Sequence, residues 1–147
     1  MRVTVLRGIS GAGKSTWVKQ HAADARIVSA DRFFIVDGEY RFDPSKLQEN
    51  HGKCFRAFMD AIRSGEPHIV VDNTNIEAWE YSPYVIAAEA FGYVVELLTL
   101  DCTVEASLSR KALVNKASLE RMHQALARET EQMPKRFQYI HRIEKTC

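Results

Sequence analysis

A glycine-rich segment near the start of the sequence carries the residue types that hold phosphate groups. It reads GISGAGKS over residues 8–15, and Gly8, Gly13, Lys14 and Ser15 meet the pattern GxxxxGK[ST] between an apolar run and a helical pattern. Backbone N–H groups of such a loop point at phosphate oxygens, its lysine reaches the β- and γ-phosphates, and its serine hydroxyl binds Mg²⁺. The candidate nucleotide-binding residues are Gly8, Ser10, Gly11, Ala12, Gly13, Lys14, Ser15 and Thr16.

The loop does not match a dinucleotide-binding fingerprint. In GxGxxG the glycines Gly11 and Gly13 would be followed by a third glycine, but Thr16 stands there. A glycine-rich turn with an exposed lysine is the alternative interpretation. The favoured one is a site for a nucleoside triphosphate, with Mg²⁺ as the ion.

Two aspartates follow short apolar runs further along the chain. Asp31 comes after residues 26–30, and Asp72 after residues 68–71. In an open parallel sheet, ligands bind beyond the carboxyl ends of the strands, so both side chains are expected to face the phosphates. Asp31 is the candidate general base for a substrate hydroxyl, and Asp72 the candidate for holding Mg²⁺, together with Ser15. Each could instead cap a turn at the end of its strand.

Four basic residues surround the junction of two late helical patterns, over residues 104–121. A mobile lid there would bring positive charge onto a migrating phosphoryl group, and Arg110 is the best candidate for a catalytic role beside Lys14 and Asp31. A solvated helix face is the alternative. The four residues are Arg110, Lys111, Lys116 and Arg121.

Residues 33–42 predict a β-hairpin with aromatic side chains, because they centre on Asp37-Gly38. The aromatic side chains could stack on a nucleobase or pack the hairpin onto the next helix. His51 in that helix is expected to be structural rather than catalytic. The aromatic residues are Phe33, Phe34, Tyr40 and Phe42.

The order of elements predicts an α/β fold. Apolar, β-branched runs alternate with helical patterns, which indicates a mostly parallel sheet of about five strands covered by helices on both faces, a three-layer arrangement. Residues 137–143 would add an edge strand. A helix over about residues 77–91 is expected to be capped by Asn75 and to be kinked or restarted at Pro83.

Size and composition fit one globular domain over residues 1–147 with a net charge of +1. That balance predicts no domain-wide field for nucleic acid, so any such contact would be local. Cys54, Cys102 and Cys147 lack the CxxC spacing of a zinc or redox site and are expected to be reduced. With no signal sequence or spanning segment apparent, we expect a cytoplasmic protein that makes no membrane contact. The oligomeric state is left open.

Taken together, these motifs resemble the P-loop kinases related to the kinase domain of phage polynucleotide 5'-hydroxyl kinase, and especially the Nedd-binding-protein-like branch. The resemblance covers residues 1 to about 130. It implies ATP-dependent phosphorylation of a hydroxyl, with DNA or RNA 5' ends as the acceptors of the best-known members. It also implies phosphate binding by Lys14 and Ser15, base catalysis by Asp31, and roles for Asp72 and Arg110. The matching segments are LRGISGAGKSTW, VSADRFF, DGEYRF, HIVVDNTNIEAWE and SLERM.

The chain departs from this family at two places. Phe34 stands where the phage enzyme has an arginine three residues after the base, and the relatives' lid motif is replaced by RKALVN over residues 110–115. Three functions therefore compete. The first is a kinase for a nucleic-acid or nucleotide hydroxyl, the second a kinase for a small metabolite or nucleoside, and the third a nucleotide-binding module without transfer activity.

Overall fold

The computed structural model describes residues 1–110 and 114–147 and shows a five-stranded sheet in the order β2-β5-β1-β6-β7. Every neighbouring pair in this sheet is parallel. The predicted α/β fold with a mostly parallel sheet is therefore confirmed. The strands are β1 Arg2–Arg7, β2 Arg26–Val28, β3 Ile35–Val36, β4 Glu39–Tyr40, β5 His68–Asp72, β6 Val94–Asp101 and β7 His141–Lys145.

Helices cover both faces of this sheet. Successive side chains of a strand point to opposite faces, so the apolar strands offer side chains to helices on both sides. Val3 and Val5 of β1 pack with α2, α3 and α6 on one face, and Leu6 packs with α1 and α5 on the other. The helices are α1 Lys14–His21, α2 Leu47–Arg63, α3 Ala78–Ala90, α4 Val104–Arg110, α5 Lys116–Glu131 and α6 Lys135–Gln138, with 3₁₀ helices at Ala30–Phe34 and Pro44–Lys46. Among the described residues, none of these helices combines the length and apolarity needed to cross a membrane.

Helix α3 differs from the prediction in its cap, and of the two forms predicted at Pro83, a kink or a restart, the restart is wrong. It runs through Pro83 without restarting, since burial of side chains such as Tyr81 and Val85 offsets the loss of one backbone hydrogen bond. Asn75 does not cap it. Glu77 is the N-cap, in a reciprocal capping box with Glu80, and the Asn75 side chain donates instead to the Leu6 carbonyl at 2.8 Å.

The short strands β3 and β4 form an antiparallel hairpin beyond the end of β2. Ile35 pairs with Tyr40 and Val36 with Glu39. The turn residues Asp37 and Gly38 both have positive φ, 52° and 81°, as a tight two-residue turn requires.

The buried side chain of Arg7, the last residue of β1, joins four parts of the fold. Its Nε donates to the Asn75 carbonyl at 2.9 Å and its Nη2 to the Ile76 carbonyl at 2.8 Å. Its Nη1 donates to Thr99 of β6 at 3.1 Å and to Thr130 of α5 at 2.6 Å. Burial lowers the pKa of this guanidinium, and nearby Tyr81 and Glu129 oppose that shift. Arg7 thereby ties the start of the glycine loop to the turn after β5.

We expect Arg7→Met to lower the free energy of unfolding by about 3 kcal/mol or more, because it leaves two buried carbonyls without their donor. Denaturant unfolding followed by circular dichroism would measure this loss. Arg2→Met, at the exposed start of the same strand, is the matched control and should shift stability by less than about 0.5 kcal/mol. Equal effects of the two substitutions would contradict the role given to Arg7.

The edge strand β7 begins with His141, whose Nε2 lies 2.7 Å from Thr99 Oγ1. Burial, and secondarily the positive charge of Arg7, lower the pKa of His141 to about 4. Between the ordinary value of 6.5 and about 4, the unfolded chain binds a proton that the folded chain does not. The contribution of His141 to the free energy of unfolding is therefore fully present above pH 6.5. It is lost as the pH falls towards 4.

We expect His141→Gln to flatten the acid side of the stability profile. The part removed should be about 1–2 kcal/mol between pH 7 and pH 4, since the side chain is only partly buried and solvent screens its charge. Urea unfolding of both proteins at several pH values across this window gives the comparison. If the two proteins lose stability in parallel as the pH falls, the lowered pKa of His141 does not contribute to the acid sensitivity.

Candidate functional site

The glycine loop connects β1 to α1 and turns tightly enough to present its backbone. Gly11 and Gly13 have φ of 80° and 97°, and the Ala12 N–H donates to the Ile9 carbonyl at 3.1 Å. At Gly8 a Cβ atom would lie 3.0 Å from the Leu100 carbonyl oxygen, so glycine is required by the close approach of β6. Gly13, the N-cap of α1, has no side chain to bond the first N–H groups of this helix, which suits them to an anion.

The polar side chains of the loop region lie against the loop backbone or are exposed to solvent. Lys14 Nζ donates to the carbonyls of Gly8 and Ile9, both at 2.9 Å, so the ammonium lies against the loop backbone. Ser15 and Thr16 are exposed at the start of α1. The hydroxyl of Ser10 is 3.9 Å from Met122 Sδ of α5.

A cleft of about 310 Å³ brings three of the predicted site residues together. Ser15 lies on the α1 side of this cleft, Asp31 on the side of the 3₁₀ helix after β2, and Asp72 at the end of β5. A hydroxyl and two carboxylates thus face one solvent-accessible space beside the loop. The cleft is lined by Ser15, Val18, Lys19, Ile27, Ser29, Asp31, Arg32 and Asp72.

Asp31 is held by local and long-range hydrogen bonds rather than by the strand itself. The strand β2 ends at Val28, earlier than the sequence suggested, and Asp31 is the second residue of the 3₁₀ helix. Its backbone N–H donates to Ser29 Oγ at 3.3 Å, and the Ala30 N–H donates to Asn73 Oδ1 at 2.9 Å. The residue after Asp72 therefore positions the residue before Asp31.

Two titratable side chains face the Asp31 carboxylate from neighbouring elements. Burial raises the pKa of Tyr40, and the negative charge and hydrogen bonding of Asp31 raise it further. Burial lowers the pKa of His51 in α2, and the same negative charge opposes that shift. Tyr40 consequently keeps its proton at neutral pH and has a hydroxyl to donate towards Asp31.

The turn Asn73-Thr74-Asn75 supports the loop and Asp31 together. The Thr74 carbonyl accepts from the Gly8 N–H at 2.9 Å, and Asn75 adopts a left-handed φ of 47°. With its side chain bonded to the Leu6 carbonyl, Asn75 holds this turn against the end of β1. The glycine loop and the carboxylates of the cleft are thus held in a fixed relation.

Arg110 lies against the loop, and it is not among the described residues that line the cleft. Its Nη1 donates to the Gly11 carbonyl at 3.1 Å and its Nη2 to the Thr146 carbonyl at 3.0 Å. The same Nη1 is 3.7 Å from Cys102 Sγ. In this arrangement the guanidinium joins the loop to the segment that follows β7.

The other basic residues of the predicted lid make contacts within their own helix or are not described. Lys116 is 3.9 Å from Glu120, and Arg121 donates to Ser118 at 3.1 Å, all on α5. Lys111 lies outside the described residues, as does part of the predicted 104–121 lid.

The aromatic residues of the hairpin divide into one core residue and three exposed ones. Phe34 is buried, and its ring centroid is 5.1 Å from that of Phe42 and 6.2 Å from that of Tyr40. Phe33, Tyr40 and Phe42 are 37%, 51% and 56% exposed. The buried ring of Phe34 is thus available for packing, and the three exposed rings near Asp31 are available for stacking on a nucleobase.

Several residues of the site were not identified from the sequence. Lys19, Ser29 and Arg32 line the cleft, and Asn73 holds the 3₁₀ helix. Arg32 had a usable signal, because it directly follows the candidate base. Lys19 lies on α1 five residues after Lys14, where helical spacing gives no reason to choose it over other exposed lysines.

The donor atoms facing the cleft suit Mg²⁺ with few protein ligands. The Ser15 hydroxyl and the Asp72 carboxylate supply hard oxygen atoms, as this ion prefers. Among residues 1–110 and 114–147, no group of three His, Cys, Asp or Glu side chains is arranged to hold a metal alone. The site therefore fits an ion that takes its remaining ligands from phosphates and water.

Comparison with known proteins identifies the family. A family model described as an AAA domain, AAA_33, matches residues 3–140. NEDD4-binding protein 2 of Homo sapiens is 34% identical over 96 residues, which is 63% of this chain. This chain spans 5% of that protein's length.

Solved structures share the fold at low sequence identity. A chain of the Pnkp1/Rnl/Hen1 RNA repair complex superposes with a TM-score of 0.75 at 16% identity, covering 90% of this chain and 46% of that one. A gluconokinase from Sinorhizobium meliloti 1021 superposes with a TM-score of 0.61 at 15% identity, covering 99% and 83%. The resemblance to polynucleotide kinase-like P-loop proteins, predicted from the motifs, is confirmed, and the chain belongs to the AAA_33 family of AAA domains.

Proposed function

We propose that this protein is an ATP-dependent kinase that transfers the γ-phosphoryl group to a hydroxyl of a nucleic acid or nucleotide. The observation that supports the proposal is the common cleft of Ser15, Asp31 and Asp72 beside the glycine loop. Phosphoryl transfer requires a phosphate cradle, charge neutralisation and a group that accepts the proton of the incoming alcohol. Ser15 and Asp72 of this cleft are the candidates for charge neutralisation through an ion, Asp31 is the candidate proton acceptor, and the neighbouring glycine loop is the candidate phosphate cradle.

The reaction divides among a few side chains. The loop N–H groups and Lys14 hold the phosphates of the substrate ATP, and Asp31 accepts the hydroxyl proton as the alcohol oxygen bonds to the γ-phosphorus. The bond from that phosphorus to the bridging oxygen breaks, and ADP leaves. Tyr40, whose pKa is raised by burial and by its interaction with Asp31, would orient the carboxylate towards the acceptor.

Ser15 and Asp72 would hold Mg²⁺ in this scheme. The ion, when bound, neutralises charge on the phosphate oxygens. Ser15 would bind it directly and Asp72 through water, since Mg²⁺ keeps much of its hydration.

The surroundings of Asp31 support a nucleic-acid or nucleotide acceptor. Arg32 and Lys19 add two exposed positive charges to the cleft, which would attract a phosphate-bearing acceptor. Phe33 and Phe42 offer exposed rings in the segment that follows Asp31, and aromatic rings stack on bases whatever their sequence. The phage enzyme has an arginine where this chain has Phe34. In this chain, Arg32 would supply the positive charge instead.

A small metabolite or nucleoside is the second candidate acceptor. The net charge of +1 gives no general attraction for nucleic acid. Similarity in fold to a gluconokinase accords with such an acceptor without identifying it. The two candidates share the loop and the base and differ in what Arg32 and the aromatic rings would contact.

We expect labelled phosphate to pass from ATP to oligonucleotides that end in a free hydroxyl. The protein and labelled ATP are incubated with DNA and RNA strands of different lengths and end types. Gel analysis then measures the transfer of label to each strand. Binding of such acceptors should weaken as salt rises, because Lys and Arg contacts release counterions. If ATP binds but sugars or nucleosides alone become labelled, the acceptor is a small molecule. If nothing is labelled although ATP binds, the protein is a nucleotide-binding module.

With the accepted substrate, we expect Asp31→Asn to lower the transfer rate by about 10²- to 10⁴-fold, because the proton acceptor is lost. ATP affinity, measured by calorimetric titration, should stay unchanged. Asp37→Asn is the matched control: it removes an equal charge from the exposed hairpin turn, at a positive φ that asparagine tolerates. Full activity of Asp31→Asn would contradict the assignment of the base.

A further inference from the structure

Two cysteines distant in sequence meet beside the glycine loop. Cys102 follows β6 and is buried, whereas Cys147 follows β7 and is exposed. The Cys102 thiol points at Cys147, with 2.6 Å between the sulfur atoms. A disulfide bond is about 2.05 Å long, so a small movement of either side chain brings these sulfurs to bonding distance. Cys54, the third cysteine, is buried in α2 beside Asn73.

The environment of Cys147 favours its thiolate. Hydrogen bonds from the Cys102 thiol and from the Thr103 backbone N–H lower the pKa of Cys147, and the positive charge of Arg110 acts in the same direction. The distance from the Thr103 nitrogen to the Cys147 sulfur is 3.2 Å. An exposed thiol with a lowered pKa, next to a second thiol that can resolve it, is the arrangement typical of redox-sensing cysteines.

We propose that Cys102 and Cys147 form a reversible disulfide when the protein meets hydrogen peroxide, and that this bond fixes the segment after β7 to the glycine loop. The Cys147 thiolate attacks one peroxide oxygen and becomes a sulfenic acid, and the released hydroxide takes a proton to form water. The Cys102 sulfur then attacks the Cys147 sulfur, and the sulfenic hydroxyl leaves as a second water with the proton of the Cys102 thiol. Two thiols lose two electrons in total, and the peroxide gains them.

Contacts around the pair carry the effect of the bond to the loop. Thr146, next to Cys147, donates from Oγ1 to the Ala12 carbonyl at 2.6 Å and from its N–H to the Asp101 carbonyl at 3.0 Å. Arg110 lies between this segment and the loop, bonded to the carbonyls of Gly11 and Thr146. In the thiol form, these hydrogen bonds help to hold residues 146–147 in place. In the disulfide form, the covalent bond keeps Thr146 and Arg110 against the loop.

Peroxide treatment of the full chain, followed by intact mass measurement and peptide mapping, tests the bond. We expect the loss of two hydrogen atoms per chain, a peptide pair linked through Cys102 and Cys147, and recovery of the thiols with dithiothreitol. Cys147→Ser, at an exposed position, should abolish this mass change, whereas the control Cys54→Ala should retain it. Addition of oxygen atoms to Cys147 as the stable product, or linkage between two chains instead of within one, would overturn the proposal.

Hydrogen exchange tests the effect on the loop without relying on any transfer activity. Backbone amides of residues 8–13 and of Thr146 should exchange several-fold more slowly in the oxidised protein than in the reduced one. Cys147→Ser should show the reduced rates with or without peroxide. Equal rates in the oxidised and reduced wild-type protein would overturn the proposed coupling between the disulfide and the loop.

Discussion

The structure of the site depends on one buried positive charge. Arg7 gives up the hydration of its guanidinium and, among the described residues, gains carbonyl and hydroxyl acceptors with no carboxylate in an ion pair. Such a group is costly to bury unless most of its N–H groups are bonded. The acceptors it uses come from the turn after β5, from β6 and from α5. The same contacts that compensate the charge therefore set the position of the residue that begins the glycine loop.

The turn after β5 passes this constraint on to the carboxylates. Asn75 and Ile76 accept from Arg7, while Asn73, two residues earlier, holds Ala30. Asp72 and Asp31 flank these contacts in sequence. A short polar turn thus sets the loop and both acids relative to one another, and hydrogen bonds of fixed length do so more tightly than apolar packing would.

Much of the fold and part of the site follow from local sequence signals. Buried β-branched runs predicted the parallel sheet, and the spacing of Gly8, Gly13 and Lys14 predicted the loop, because both signals depend on neighbouring residues. Local patterns do not disclose long-range partners. Asn75 was expected to cap α3 and instead supports β1, and Arg110 was assigned to a lid and lies against Thr146. The meeting of Cys102 with Cys147 depends on the pairing of β6 with β7, and no spacing rule describes it.

The strand order also has a consequence for synthesis on the ribosome. β1 is made first and lies at the centre of the sheet, yet Arg2 pairs with His68 on one side and with Val94 on the other. Thr130, which accepts a hydrogen bond from Arg7 at the end of β1, is made later still. At about 5–20 residues per second, β1 waits several seconds for the strands that pair with it. During that interval both edges of this apolar strand are unpaired, so a chaperone has its longest opportunity to bind β1.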